Sequence, residues 1–193
     1  MDQKTRVYIY AFLSRIFSEQ IDKQLLSDLR SDDALLKTIG EEAFSYIRSK
    51  DEDTLLEELN IEYHSLFAMN NHPIESSVQD VKNEILVGLQ NPVMQFYFQH
   101  GYELNLDASS LYVPDHLGME LGFMQNLILQ DEKKAQLQFY RAHLLSWVPQ
   151  FLIAIKEMSK NPFYLDICDF CIDFMLEDFS DLSFEAERQI DDI

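Results

Sequence analysis

Five glycines and five prolines are all that 193 residues offer for tight turns, and that scarcity constrains the fold more than any other feature. A sandwich or barrel of short strands needs a turn signal roughly every 8–12 residues. Leu, Glu, Gln, Met and Ala are plentiful instead, and all of them favour helix. The expected fold is all-α: a single globular helical-bundle domain over residues 1–180, followed by an acidic, weakly ordered tail at 181–193. At 47% apolar composition the chain builds one sizeable core, and a second independent domain would be cramped.

Periodicity and stop signals divide the chain. Helices are expected at 5–18, 21–30 and 32–48. Over 52–69, Leu55, Leu56, Leu59, Tyr63, Leu66 and Phe67 fall within about a third of a turn at 100° per residue, a stripe facing a core. Pro73 disfavours helix at His72, so 70–75 reads as a loop, with Ser76 and Gln79 as a capping box for a helix over 76–90. Asn91-Pro92 reads as N-cap plus first-turn proline, and Gly101 as a helix stop. A polar connection, 102–112, precedes a helix over 114–131. The following helical stretch is expected to break near Trp147-Val148-Pro149, and Asn161-Pro162 opens a last long helix to about Asp178.

The charge is −19 and regional. Residues 1–50 balance 8 basic against 8 acidic side chains, whereas 51–100 hold 1 against 9 and 151–193 hold 3 against 11. Such a field repels nucleic acid and anionic lipid and attracts basic partners. The opening MDQKTRVYIYAFLSRIF has neither an apolar h-region nor a cleavage site, so no signal peptide is expected. No run of roughly 18 apolar residues occurs to span a bilayer. Cys168 and Cys171 form a lone CDFC on a helical segment, a poor zinc or redox motif; we expect two buried apolar side chains, as suits a reducing cytoplasm.

The stretch VPDHLGMELGFM, residues 113–124, sets Asp115, His116 and Glu120 into an apolar helix. On a helical wheel Glu120 falls inside the apolar arc, and Gly118 and Gly122 lie one turn apart where a neighbouring backbone can approach. A buried carboxylate needs a partner or takes up a proton, and His116, one turn earlier, is the nearest. Asp115 suits an N-cap or first-turn position, so a structural reading stands beside a catalytic, metal-binding or ligand-binding one. Should a cationic His116 pair Glu120, ligand affinity would change between about pH 5.5 and 7.5. Enzyme chemistry has little support: there is no second His for a zinc helix, no paired Glu-x-x-His element, no phosphate loop and no nucleophile elbow. We expect no catalytic residue, metal or cofactor. On the last helix Asp166, Asp169, Asp173 and Glu177 share one face, either a solvated surface or a ridge for a cationic partner.

Three stretches together resemble the TorD/DmsD/NarJ family, the cytoplasmic chaperones of molybdenum-containing, twin-arginine-exported oxidoreductases. They are EYHSLF (62–67) with PIESSV (73–78), PDHLGMELGFM (114–124), and FYRAHLLSWVPQF (139–151) with NPFY (161–164). The resemblance implies an all-α TorD-like fold and a non-enzymatic, cytoplasmic role: binding the twin-arginine signal peptide or the apo catalytic subunit of a molybdopterin oxidoreductase until its cofactor is inserted. It implies that two loops converge on the client, with Asp115 and His116 central, Pro114 shaping the mouth, Glu120 among the binding residues, Pro73 and Glu75 on the facing loop, and Tyr63, Leu66 and Phe67 lining it beneath. It also allows a monomer or a dimer with exchanged helices. The runner-up readings are a metal-dependent enzyme using His116, Glu120 and Asp115, and an acidic adaptor docking through the 166–177 face.

A twin-arginine leader joins a basic motif to an apolar stretch. Burying ~300 Å² of apolar peptide contributes roughly 7 kcal/mol gross, and a partly exposed Arg–carboxylate pair only about 0 to 1. Apolar contacts should therefore set affinity, with acids favouring cationic clients.

Overall fold

The computed structural model describes residues 1–79, 88–102 and 113–191. These residues are overwhelmingly helical, and the fold is all-α. Among them the β-type pairing is a single isolated bridge, Ile74 with His116.

The helices are α1 (Gln3–Ser18), α2 (Lys23–Ser31), α3 (Asp33–Ile39), α4 (Glu41–Arg48), α5 (Glu52–Tyr63), α6 (Glu75–Gln79), α7 (Pro92–Gln99), α8 (Leu117–Leu129), α9 (Lys133–Phe139), α10 (Leu145–Met158) and α11 (Pro162–Asp191). Two wider π-helical segments, π1 (His64–Asn70) and π2 (Tyr140–Leu144), extend α5 and lead from α9 into α10. Local signals explain several starts. Asp22, Asp32 and Asp51 accept from the backbone N–H groups of Leu25, Leu35 and Thr54, and Asn91 from those of Val93 and Met94 with Pro92 in the first turn. Asn161 likewise accepts from Phe163 at 3.0 Å. Gly101, at φ 65, follows the end of α7.

Several expectations are corrected. The helix expected over 32–48 is two, because Gly40 is extended and the Asp166 carboxylate, accepting from the Ala43 N–H at 2.7 Å, occupies the space a Cβ would take. The break expected near Trp147-Val148-Pro149 is absent. α10 runs through Pro149, and the irregularity lies upstream, in π2. α11 does not stop near Asp178 but continues to Asp191, through most of the expected tail. Of the helix expected over 76–90, residues 80–87 lie outside the described residues, as do 103–112 of the expected connection.

The chain divides into two compact units. The first comprises residues 1–18, 73–149 and 175–193. Its main packing is α1 on α8, where Gly118 allows close approach: Ser14 Oγ donates to the Gly118 carbonyl at 2.7 Å, and a Cβ on Gly118 would fall 2.0 Å from Ser18 Oγ. Beside this contact Asp178 is buried and accepts from Arg6, from Tyr10 at 2.8 Å and from Tyr140 at 3.0 Å, while Arg6 also donates to Gln136. Asp178 in that network, buried Leu182 and the Lys133–Glu185 pair tie the helix to the unit beyond the expected stop.

The second unit comprises residues 19–72 and 150–174. Its core includes Leu26, Leu29, Leu55, Leu59, Phe163, Cys168 and Cys171. Both cysteines are buried as expected and neither is in a disulfide; burial pushes the Cys168 thiol up to about 12 and Cys171 well above its ordinary value, which disfavours the reactive thiolate.

Candidate functional site

Within the first unit the two loops singled out by sequence meet. The Glu75 N–H donates to the Asp115 carbonyl at 2.9 Å and the Leu117 N–H to the Pro73 carbonyl at 2.8 Å, which locks 73–75 alongside 115–117. The Ser76 N–H donates to Asp115 Oδ2 at 2.8 Å. Asp115 therefore caps α6 from across the junction, in place of the expected Ser76 capping box, and its charge meets the positive end of that helix. The N-cap of α8 is His116, not Asp115: its Nδ1 accepts from the Gly118 N–H at 3.1 Å. His116 Nδ1 therefore serves the start of α8. Tyr97 Oη, from α7, donates to the Pro114 carbonyl at 2.9 Å and holds the turn from below.

Behind this junction lies a buried polar cluster. Glu75 points inward, and its Oε2 is 2.9 Å from His143 Nδ1, while Oε1 accepts from Gln79 at 3.1 Å. His143 sits against the rings of Phe96 and Phe139. Glu120 Oε2 accepts from Trp147 Nε1 at 3.3 Å. Burial first, then the Glu75 charge, raises the Glu120 pKa well above the ordinary range; the Trp147 bond opposes this and Asp115 adds to it, so the protonated acid is favoured. Two buried acceptors, Asp115 Oδ1 and Glu120 Oε1, have no hydrogen-bond partner. Each unmet buried acceptor costs about 1–3 kcal/mol.

Of the expected site residues, Pro73, Glu75, Pro114, Asp115, His116 and Glu120 come together here, but not as an open rim: Asp115 is 1% exposed, Glu120 0% and His116 7%. Tyr63, Leu66 and Phe67 belong to the second unit and are buried as core, with the Phe67 ring 5.4 Å from Tyr63 and 6.0 Å from Tyr164. Sequence reasoning missed His143 and Trp147 as partners of the acids. Their signal was present: one turn apart in FYRAHLLSW, both aromatic and polar-tipped. The face at Asp166, Asp169, Asp173 and Glu177 is not four free carboxylates, since Asp166 caps α4 and Asp169 pairs with Lys156. Among the described residues no group of three or more His, Cys, Asp or Glu is arranged to hold a metal ion, and no helix is long and apolar enough to cross a membrane.

The site lies on segments that known proteins share. The family model described as nitrate reductase delta subunit matches residues 27–152, well over half of the chain, and the chain belongs to that family. It is similar to the chaperone protein TorD of Shewanella oneidensis, 26% identical over 191 residues covering 90% of this chain and 88% of the relative. The chaperone protein TorD of Shewanella pealeana is 25% identical over 182 residues, covering 83% and 82%. That of Aliivibrio salmonicida is 31% identical over a shorter stretch of 85 residues, covering 38% and 40%. The chain is thus a TorD-like chaperone, in a family of chaperones rather than enzymes.

Proposed function

We propose that the chain acts in the cytoplasm, as a monomer or a helix-exchanged dimer, binding the twin-arginine signal peptide or the apoprotein of a molybdopterin oxidoreductase subunit during cofactor insertion. The observation that carries this reading is the unpartnered acceptor Asp115 Oδ1, with the wholly buried carboxyl of Glu120 beside it, behind a junction of two loops. Buried polar atoms are nearly always satisfied, and an acceptor held in reserve beside further acid suits a guanidinium, which brings five donors and no acceptor. Opening the 73–76 and 114–117 junction would present it. The −19 charge speeds encounter with a basic leader. In this reading Pro73, Pro114 and His116 shape and lock the junction, while Glu75 and Asp115 supply charge.

The test is isothermal titration with the twin-arginine peptides encoded in the same genome. Asp115→Asn keeps an oxygen to cap α6 but removes the charge. Saturable binding to one peptide, weakened in this variant while circular dichroism shows that it remains folded, is expected. Absence of saturable binding to every peptide, or equal affinity in the variant, sinks the reading.

A further inference from the structure

Away from the loop junction, and sharing no residue with it, the first unit holds a cleft of about 190 Å³ between α1, the turn that joins α8 to α9, and the last part of α11. A cavity of about 150 Å³ takes up benzene, so this one suits a molecule of about six to eight non-hydrogen atoms. Ile128 and Leu182, both buried, give it an apolar wall.

Two of the charged groups that line the cleft have capacity to spare. Arg6 is only 9% exposed. Its Nε and Nη2 donate to Asp178, and Nη2 also donates to Gln136 at 2.8 Å. Nη1 has no partner among the described residues, yet it is not one of the atoms sealed from solvent. Since Arg6 is buried elsewhere and lines the cleft, its two spare N–H donors serve that space. Asp131, in the α8–α9 turn at φ 55, lines the same cleft, and its carboxylate likewise has no partner among the described residues. The other charges are met: Asp178 by Arg6, Tyr10 and Tyr140, Lys133 by Glu185 at 2.7 Å, and Asp181 by the Met1 ammonium at 3.3 Å.

This pattern selects the charge of an occupant. Four carboxylates and three cations line the cleft, so a bare anion enters a net negative surrounding, and a bare cation leaves the Arg6 donors unmet. A molecule carrying one charge of each sign answers both spare groups.

We propose that this cleft binds a small zwitterion, an amine-bearing carboxylic acid of amino-acid size. Its carboxylate meets Arg6 Nη1, its ammonium turns to Asp131, and its methylene stem lies against Ile128 and Leu182. The test titrates the full chain with glycine, 3-aminopropanoate and 4-aminobutanoate, and with the acid and the amine that correspond to each. At least one zwitterion should bind saturably, with Kd about 10 mM or tighter. Its amine-free acid should bind about two- to fivefold more weakly, the share of a partly exposed ion pair, and its carboxylate-free amine about tenfold or more weakly. Asp131→Asn, in which asparagine tolerates the left-handed backbone, should close the gap between zwitterion and acid. Absence of saturable binding by all three zwitterions, an acid or an amine that binds as tightly as its zwitterion, or a gap that persists in Asp131→Asn overturns the proposal, and each outcome leaves the loop-junction reading untouched.

Discussion

Glu120→Gln should stabilise the chain increasingly as pH rises. Glu120 lies wholly buried in α8, its Oε2 meeting the Trp147 indole and its Oε1 nothing. Burial and the nearby charges of Glu75 and Asp115 raise its proton affinity in the native state. His143, paired with Glu75, His116 and the buried Tyr97 also lie on the surrounding elements. Unfolded, a glutamate releases its proton near ~4.3. Above that value, and up to the raised native one, the native chain holds one proton more than the unfolded chain. Stability from this acid is therefore full below about pH 4.3 and falls by about 1.4 kcal/mol per pH unit above it. Glutamine does not titrate and keeps an oxygen for Trp147, so the gap between variant and wild type should widen by up to about 1.4 kcal/mol from about pH 5 to about pH 6. Urea unfolding across that range, followed by far-ultraviolet circular dichroism and by the fluorescence of the chain's one tryptophan, measures it. Parallel stability curves for the two proteins would refute the reasoning, because they mean that folding takes up no proton here.

Arg6→Met should cost about 3–5 kcal/mol by leaving Asp178 buried with only its tyrosine donors. Arg6→Lys should recover only part of that loss, since lysine lacks the planar fork that reaches both Asp178 and Gln136; full recovery in urea unfolding would count against the fork. Gly118→Ala should destabilise by about 1–3 kcal/mol, because its Cβ meets Ser18 Oγ and stands 3.0 Å from the Ser14 carbonyl. At Gly122 the nearest atoms stand at 3.4 and 3.8 Å, so alanine there should be near neutral or gain up to about 1 kcal/mol of helix propensity. Equal thermal shifts for the two variants would contradict the close approach of α1 and α8 at Gly118.

The helical class, the stripe of Leu55, Leu59, Tyr63, Leu66 and Phe67, the starts at Asn91 and Asn161 and the stop at Gly101 were all legible in the sequence. Each depends on residues within a few positions of one another, so short-range periodicity and cap chemistry suffice. The meeting of the 73–76 and 114–117 segments was expected from family likeness, whereas its hydrogen bonds were not. Asp115 serves a helix 39 residues away, His143 reaches Glu75 across 68, and Arg6 reaches Asp178 across 172. Only the tertiary structure decided that His116 rather than Asp115 starts α8, that Glu120 meets Trp147, that α11 persists past Asp178, and that Met69 rather than Phe67 faces solvent. A side chain's partner is whichever group packing brings within about 3 Å of it, and local sequence does not encode that distance.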